Sequence, residues 1–169
     1  MGVVKIVNTD KFISEQRKIL TRIIEDIEQG RIRYNRLVDP QNKNGVVDDI
    51  LVYRDYEQYL AVFNASNVAK DIAFVKRFGI IAELMGLHII ALQGPQAEAI
   101  FQKHTEEDLA KLKYYGFAPI ELDREVDCIV SRTGYTGEKG FELMLTAADC
   151  PKVWQLFLAE GVKPCGLGA

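Results

Sequence analysis

The sequence predicts an α+β fold with mostly antiparallel sheets and packed helices. Strand-like runs come in pairs across turn clusters, helical periodicities are interspersed between the pairs, and glycine and proline fall singly rather than in linkers. With 169 residues, 48% of them hydrophobic and 27% charged, the chain has the composition of an ordinary globular protein, long enough to fold without disulfides or metals. One compact region over 1–169 is expected, or two small subdomains of about 1–85 and 86–169.

Val3 to Val7 alternates as a strand, and Asn8-Thr9-Asp10 offers an N-cap to an amphipathic helix over Lys11 to Glu28, where Ile13, Leu20, Ile23, Ile24 and Ile27 recur at helical spacing. Gly30 should end that helix. Arg31 to Val38 reads as a strand leading into the turn cluster Asp39 to Gly45, and Val46 to Tyr53 returns from it as a hairpin. A strand over Tyr59 to Phe63 follows, then Asn64 to Asn67 capping a helix from Val68 to about Arg77. His88 to Leu92 reads as a short buried strand, stopped by Gly94-Pro95, which opens a helix ending near His104. Thr105 to Asp108 has the pattern of a capping box for one more helix. Phe117 to Leu122, Val126 to Arg132 and Phe141 to Leu145 read as strands, and Ala147 to Glu160 as the last helix.

Composition excludes several function classes. A formal charge of −3 gives no basic field to attract nucleic acid or an anionic membrane. The longest apolar runs fall far short of the roughly 20 residues of a spanning helix. The N-terminus lacks the basic and apolar regions of a secretion signal, which predicts a cytoplasmic chain. Three cysteines without a Cys-x-x-Cys pair and two histidines distant from them speak against a zinc site. His88 and His104 offer no partner and read as structural.

The stretch Val46 to Val52 is unusual because Asp48 and Asp49 interrupt a run that is apolar on both faces. Alternation puts Val47, Asp49, Leu51 and Tyr53 on one face and Val46, Asp48, Ile50 and Val52 on the other. A carboxylate in such surroundings resists ionisation unless a donor pairs with it, which makes it a candidate acid or base. The competing interpretation is an Asp that accepts backbone N–H groups at the turn. Ser131 to Glu142 carries three glycines at a spacing of three between two strands and reads as a hairpin; a phosphate loop would end in Gly-Lys-Ser or Gly-Lys-Thr at a helix start. Glu142, just inside the following strand, either presents its carboxylate to a ligand or lies on a solvated face. Tyr114, Tyr115 and Tyr135 either stack on a planar ring or fill the core. Asn64 either caps the helix or bonds a ligand.

Five segments taken together, Gly45 to Tyr53, Val62 to Asn67, Ala91 to Pro95, Ser131 to Met144 and Lys163 to Ala169, resemble in content and order the T-protein of the glycine cleavage system. The resemblance runs from about Tyr34 to Ala169. It implies an aminomethyltransferase that takes the methylamine carried on the lipoyl arm of H-protein and passes its one-carbon unit to tetrahydrofolate, releasing ammonia and forming 5,10-methylenetetrahydrofolate. Its partners would be lipoylated H-protein and tetrahydrofolate, the latter as substrate, with no metal, nucleic acid or membrane. Within the resemblance, Asp49 corresponds to the catalytic aspartate and Glu142 to the pterin-binding glutamate, able to accept two parallel N–H donors. Asn64 and Tyr135 match positions lining the folate pocket, and Tyr115 matches an aromatic near the pterin or its linker. Tyr34 matches another pocket tyrosine, although the loop after it is longer than the family's usual spacing. Folate-dependent demethylases are similar in fold, but Arg132 to Glu138 looks specifically like T-protein. Family chains carry a further N-terminal segment and continue past Gly-Leu-Gly-Ala, so the resemblance implies a middle portion, with a folate-binding module lacking independent catalysis as the alternative.

Overall fold

A computed structural model describes residues 1–56 and 58–166 of the chain; the last three residues of the Lys163 to Ala169 segment lie outside the described residues. The chain forms two compact units, one of Met1–Leu87 with Tyr115–Phe117, the other of His88–Tyr114 with the residues from Ala118 onward. The fold is α+β, and no helix among the described residues is long and apolar enough to cross a membrane.

The first unit is built on a five-stranded sheet of β1 (Gly2–Ile6), β2 (Arg31–Asp39), β3 (Gly45–Arg54), β4 (Tyr59–Phe63) and β5 (Ala82–Leu84) in the order β2-β3-β4-β1-β5. All its pairings are antiparallel. β5 has no counterpart in the sequence reading, where three residues carry too little pattern to register. All five residues of the central strand β4 are buried. Helices α1 (Thr9–Ile19) and α2 (Val68–Lys76) contribute Phe12, Ile19, Phe74 and Val75 to a core shared with Val4, Ile6, Ile50, Val52 and Phe63.

The long first helix expected to reach Glu28 stops at Ile19. Leu20 turns extended, at φ −118° and ψ 142°, and bridges Leu37 on β2. Two buried amides hold the segment that follows. Gln16 accepts from Ile24 N–H, and Asn35 Oδ1 accepts from Arg22 N–H at 3.0 Å while its Nδ2 donates to Arg22 C=O at 2.7 Å. Ile24 and Ile27 are therefore buried without being helical. Asn8 does not cap α1; its side chain bridges to Gly79 C=O at 2.8 Å and Ile81 N–H at 2.7 Å.

Strict alternation also fails at the start of β3. Leu37 faces Asp48 and Val38 faces Val46, so Val47 is an extra residue in a bulge. Val47 packs against the core and Val46 is exposed, the reverse of what period two requires.

The second unit holds a four-stranded sheet of β6 (His88–Gln93), β7 (Phe117–Leu122), β8 (Val126–Ser131) and β9 (Gly140–Leu145) in the order β6-β9-β8-β7. β9 pairs antiparallel with β6 and β8. Helices α3 (Ala97–Phe101) and α4 (Cys150–Ala159) supply Phe101, Val153 and Phe157 to a core with Leu92, Val130, Phe141 and Leu143. β6 lies at the sheet edge, and Leu92 alone among its residues is buried, which corrects the expected buried strand. The capping-box helix is also corrected: Thr105 Oγ1 accepts from Glu107 N–H in a local turn, and the helical element is one 3₁₀ turn, Leu109–Lys111, capped by Asp108. His104 is not without partners, because its ring lies 3.1 Å from Asp123 and 3.4 Å from Glu160.

Candidate functional site

The residues singled out from sequence fall in both units. In the first unit, β3 and β4 pair with Leu51 opposite Val62, and continuing that register by two residues sets Asn64, still extended at φ −62° and ψ 136°, beside Asp49. Cross-strand neighbours stand about 5 Å apart, within reach of a short amide. The Asn64 Nδ2 lies 2.9 Å from Asp48 Oδ1, 3.2 Å from Asp49 Oδ1 and 3.2 Å from the Asp49 carbonyl. All three atoms are acceptors, so the nitrogen and not the oxygen of the amide faces them. Asn64 is therefore no helix cap, and its side chain ties the two aspartates together.

The two aspartates differ in surroundings. Asp48 shares its sheet face with Ile50 and Val52 and is buried, at 8% exposure, whereas Asp49 is half-buried on the opposite face. Burial opposes the charge on Asp48, yet the Asp71 carboxyl and the amides of Asn64 and Asn67 hold it below the usual carboxylate range. Arg36 on β2 is the direct cross-strand neighbour of Asp49, and Tyr34, opposite Leu51, lies on the same sheet face as Asp49. Tyr115 is also in this unit: its carbonyl accepts from Ile32 N–H at 2.9 Å, and its backbone is left-handed at φ 56°.

In the second unit, Glu142 projects from β9 on the face opposite Phe141 and Leu143. Its Oε2 accepts from Thr133 Oγ1. A carboxylate only accepts, so the Thr133 proton is committed to Glu142, and the buried Ser131 hydroxyl, 2.7 Å from Thr133, donates to Thr133 in turn. This relay aims the half-buried Glu142 while its remaining lone pairs keep acceptor capacity.

The loop between β8 and β9 is held shut by Gln93, whose Nε2 donates to Thr133 C=O at 3.1 Å and Phe141 C=O at 2.9 Å. Glycine is required at Gly140, where a Cβ would run into the Leu92 carbonyl, and favoured at Gly137, at φ 77°. Tyr135, on this loop, is 81% exposed, and Tyr114 is 72% exposed, so neither fills the core. Beside the loop lies a cleft of about 580 Å³ lined by Glu98, Tyr114, Arg132, Thr133 and Lys139 among others. Arg132 is clamped by Glu98 at 2.7 Å and the Leu109 carbonyl at 2.6 Å, with its guanidinium over the Phe141 ring.

Sequence reasoning passed over Asp71, Ser131 and Thr133. The signal for Asp71 was present: three and four residues before Phe74 and Val75, it must share their core-facing side of α2. Thr133 falls within the Arg132 to Glu138 stretch that carries the resemblance, but nothing in the sequence gives it a role of its own there.

The family model for the GCVT N-terminal domain matches residues 13–169. An aminomethyltransferase of Desulfitobacterium hafniense is 41% identical over 185 residues, and one of Listeria monocytogenes serotype 4a is 39% identical over 176, each alignment covering 100% of this chain and 48% of the relative. The chain thus spans about half the length of the curated relatives it matches. Among solved structures, the glycine cleavage system aminomethyltransferase T from Bartonella henselae superposes with a TM-score of 0.80 over 95% of this chain and 44% of that one, at 24% identity, a likeness of fold. The sequence match over nearly the whole chain, on a fold that is also that of a solved T-protein, establishes that this chain belongs to the GCVT N-terminal domain family.

Proposed function

We propose that this chain carries the folate-binding part of a cytoplasmic, tetrahydrofolate-dependent aminomethyltransferase that accepts the aminomethyl group of the lipoyl arm of H-protein. The observation that supports this most is the Asn64 clamp, because it fixes the Asp49 carboxylate on the opposite sheet face from the buried Asp48. Membership of the family supplies the reaction class.

In this reading the two folate nitrogens form two bonds to the methylene carbon while its bonds to nitrogen and sulfur break. The two protons lost from the folate nitrogens go to the departing thiolate and ammonia. Asp49 orients the folate and stabilises the positive charge that develops as the amine leaves, with proton transfer as its second role. Glu142, aimed by Thr133, accepts pterin N–H donors, and the resemblance assigns folate contacts to Asn64, Tyr34, Tyr115 and Tyr135. Position supplies much of the rate, since both reactants are held at attacking distance away from water.

Calorimetric titration with tetrahydrofolate, paired with single-turnover transfer from aminomethylated H-protein, tests the proposal in a transferase of the relatives' full length, since the 169-residue chain by itself should bind folate weakly or not at all. Stoichiometric binding that weakens in Glu142→Ala, with transfer that fails in Asp49→Asn, is the expected result. Binding without transfer would make the chain a folate-binding module, and absence of both would refute the assignment.

A further inference from the structure

Asp71 has no part in the chemistry above, yet it is fully buried on α2, on the side that carries Phe74 and Val75. Oδ2 of Asp48 and both oxygens of Asp71 are buried without a hydrogen-bond partner among the described residues. Two carboxyl groups meeting out of water satisfy each other only when one of them keeps a proton and donates it. The charged groups facing Asp71 are Asp48 from β3 and Lys70 from its own helix; Lys70 Nζ forms an ion pair with Asp71 at 3.7 Å that favours its charged form, a smaller influence than burial and Asp48, and donates to the Val47 carbonyl at 2.8 Å. Burial first, and then the hydrogen bond and charge of Asp48, push the Asp71 carboxyl up to about 7. Asp48, held low by its donors, is the ionised member.

We propose that Asp71 is a positioning residue for Asp49: its carboxyl proton binds Asp48, Asp48 holds the Asn64 amide, and Asn64 holds the Asp49 carboxylate. The inference rests on the reading of Asp49 as the reacting group. The linkage runs from the helix, through the buried face of β3, to the opposite face where Asp49 lies. Loss of the Asp71 proton sets two buried negative charges against each other and loosens the grip on Asn64.

The side-chain amide resonance of Asn64 reports this directly in the chain as it stands. In the unaltered protein that resonance should move as pH is raised from about 5 to about 8, with a midpoint at about 7. Asp71→Asn keeps a donor for Asp48 but has no proton to lose, so its Asn64 resonance should hold one position across the range. Asp71→Leu, which offers no donor, should show the amide displaced at every pH. An Asn64 resonance that stays flat in the unaltered protein, or that keeps the same midpoint in Asp71→Asn, overturns the proposal; these two measurements stand even where the leucine variant fails to fold. Neither uses folate. A titrating Asn64 beside absent folate binding would sink the functional reading of Asp49 and leave the linkage intact, while a flat Asn64 beside Asp49-dependent transfer would do the opposite.

Discussion

Asp48 and Asp49 are adjacent in sequence and share one amide, but only Asp49 lies on the face away from the core, and the two should respond differently to the same change. Within a transferase of its relatives' full length, Asp49→Asn keeps shape and one acceptor while removing charge, and single-turnover transfer should fall by about 10²- to 10⁴-fold with little change in folate affinity. Asp48→Asn should cost about 1 to 3 kcal/mol of stability in urea titration, because it disturbs a buried acceptor, and should lose less rate than the Asp49 variant. A larger rate loss at Asp48 would place the chemistry on Asp48 and show Asp49 to be the wrong carboxylate. For Glu142→Ala, loss of charge-assisted contacts should weaken folate binding by about 1.5 to 3 kcal/mol, roughly ten- to a hundredfold in Kd by calorimetry. Thr133→Val, which removes only the group that aims Glu142, should weaken it less. Unchanged affinity in both would leave Glu142 an ordinary strand residue.

At the scale of elements, boundaries followed the sequence where turn chemistry and periodicity agreed and departed from it where a buried polar side chain took control. β4 lies where its β-rich composition put it, and the hairpin around Asp39 to Gly45 formed where the turn residues cluster. Helix α1 ended nine residues short because the apolar spacing of Ile23, Ile24 and Ile27 is the same whether those residues are helical or tucked under a loop, and periodicity carries no trace of Gln16 and Asn35. The β3 bulge was invisible for a similar reason, since one extra residue in β3 changes its register against β2 and not the composition. Asn35→Ala should therefore matter more than a typical polar substitution. It strips acceptors from Arg22 and Arg36 N–H and a donor from the Arg22 carbonyl. A loss of about 2 to 3 kcal/mol is expected in denaturant unfolding, and hydrogen exchange should speed up between Thr21 and Gly30. A loss below about 0.5 kcal/mol, the size of an ordinary surface change, would mean the segment is held by its isoleucines alone.

For the molecule as a whole, the site was legible one residue at a time and not as a constellation: the resemblance named Asp49, Asn64 and Glu142, but which side chains hold them is a property of packing. Packing also sets how the whole chain responds to pH. Asp71 binds its proton more tightly when folded than the ordinary value of 3.8, so the stability it contributes is full at acid pH and is lost as pH rises from about 4 to about 7. Asp48, held low, works the other way at the acid end, contributing above its unfolded value and losing that contribution as pH falls. Urea titrations should accordingly show Asp71→Asn gaining on the unaltered chain between about pH 5 and about pH 7.5; a constant gap across that range would mean Asp71 is ionised throughout. The two units have separate buried cores, one around Phe12, Phe63 and Phe74 and the other around Phe101, Phe141 and Phe157. Phe101 is fully buried, with edge-to-face contacts to Phe141 at 5.2 Å and Phe157 at 6.0 Å. Truncating it to alanine should cost about 3 to 5 kcal/mol, a large part of the total stability of a domain this size. If each core stabilises its own unit, hydrogen exchange in Phe101→Ala should accelerate across β6, β8 and β9 while amides of β1 and β4 keep their protection. Equal acceleration in both sets would mean that the chain unfolds as one cooperative block, and the two units would then be a division of geometry without a counterpart in stability.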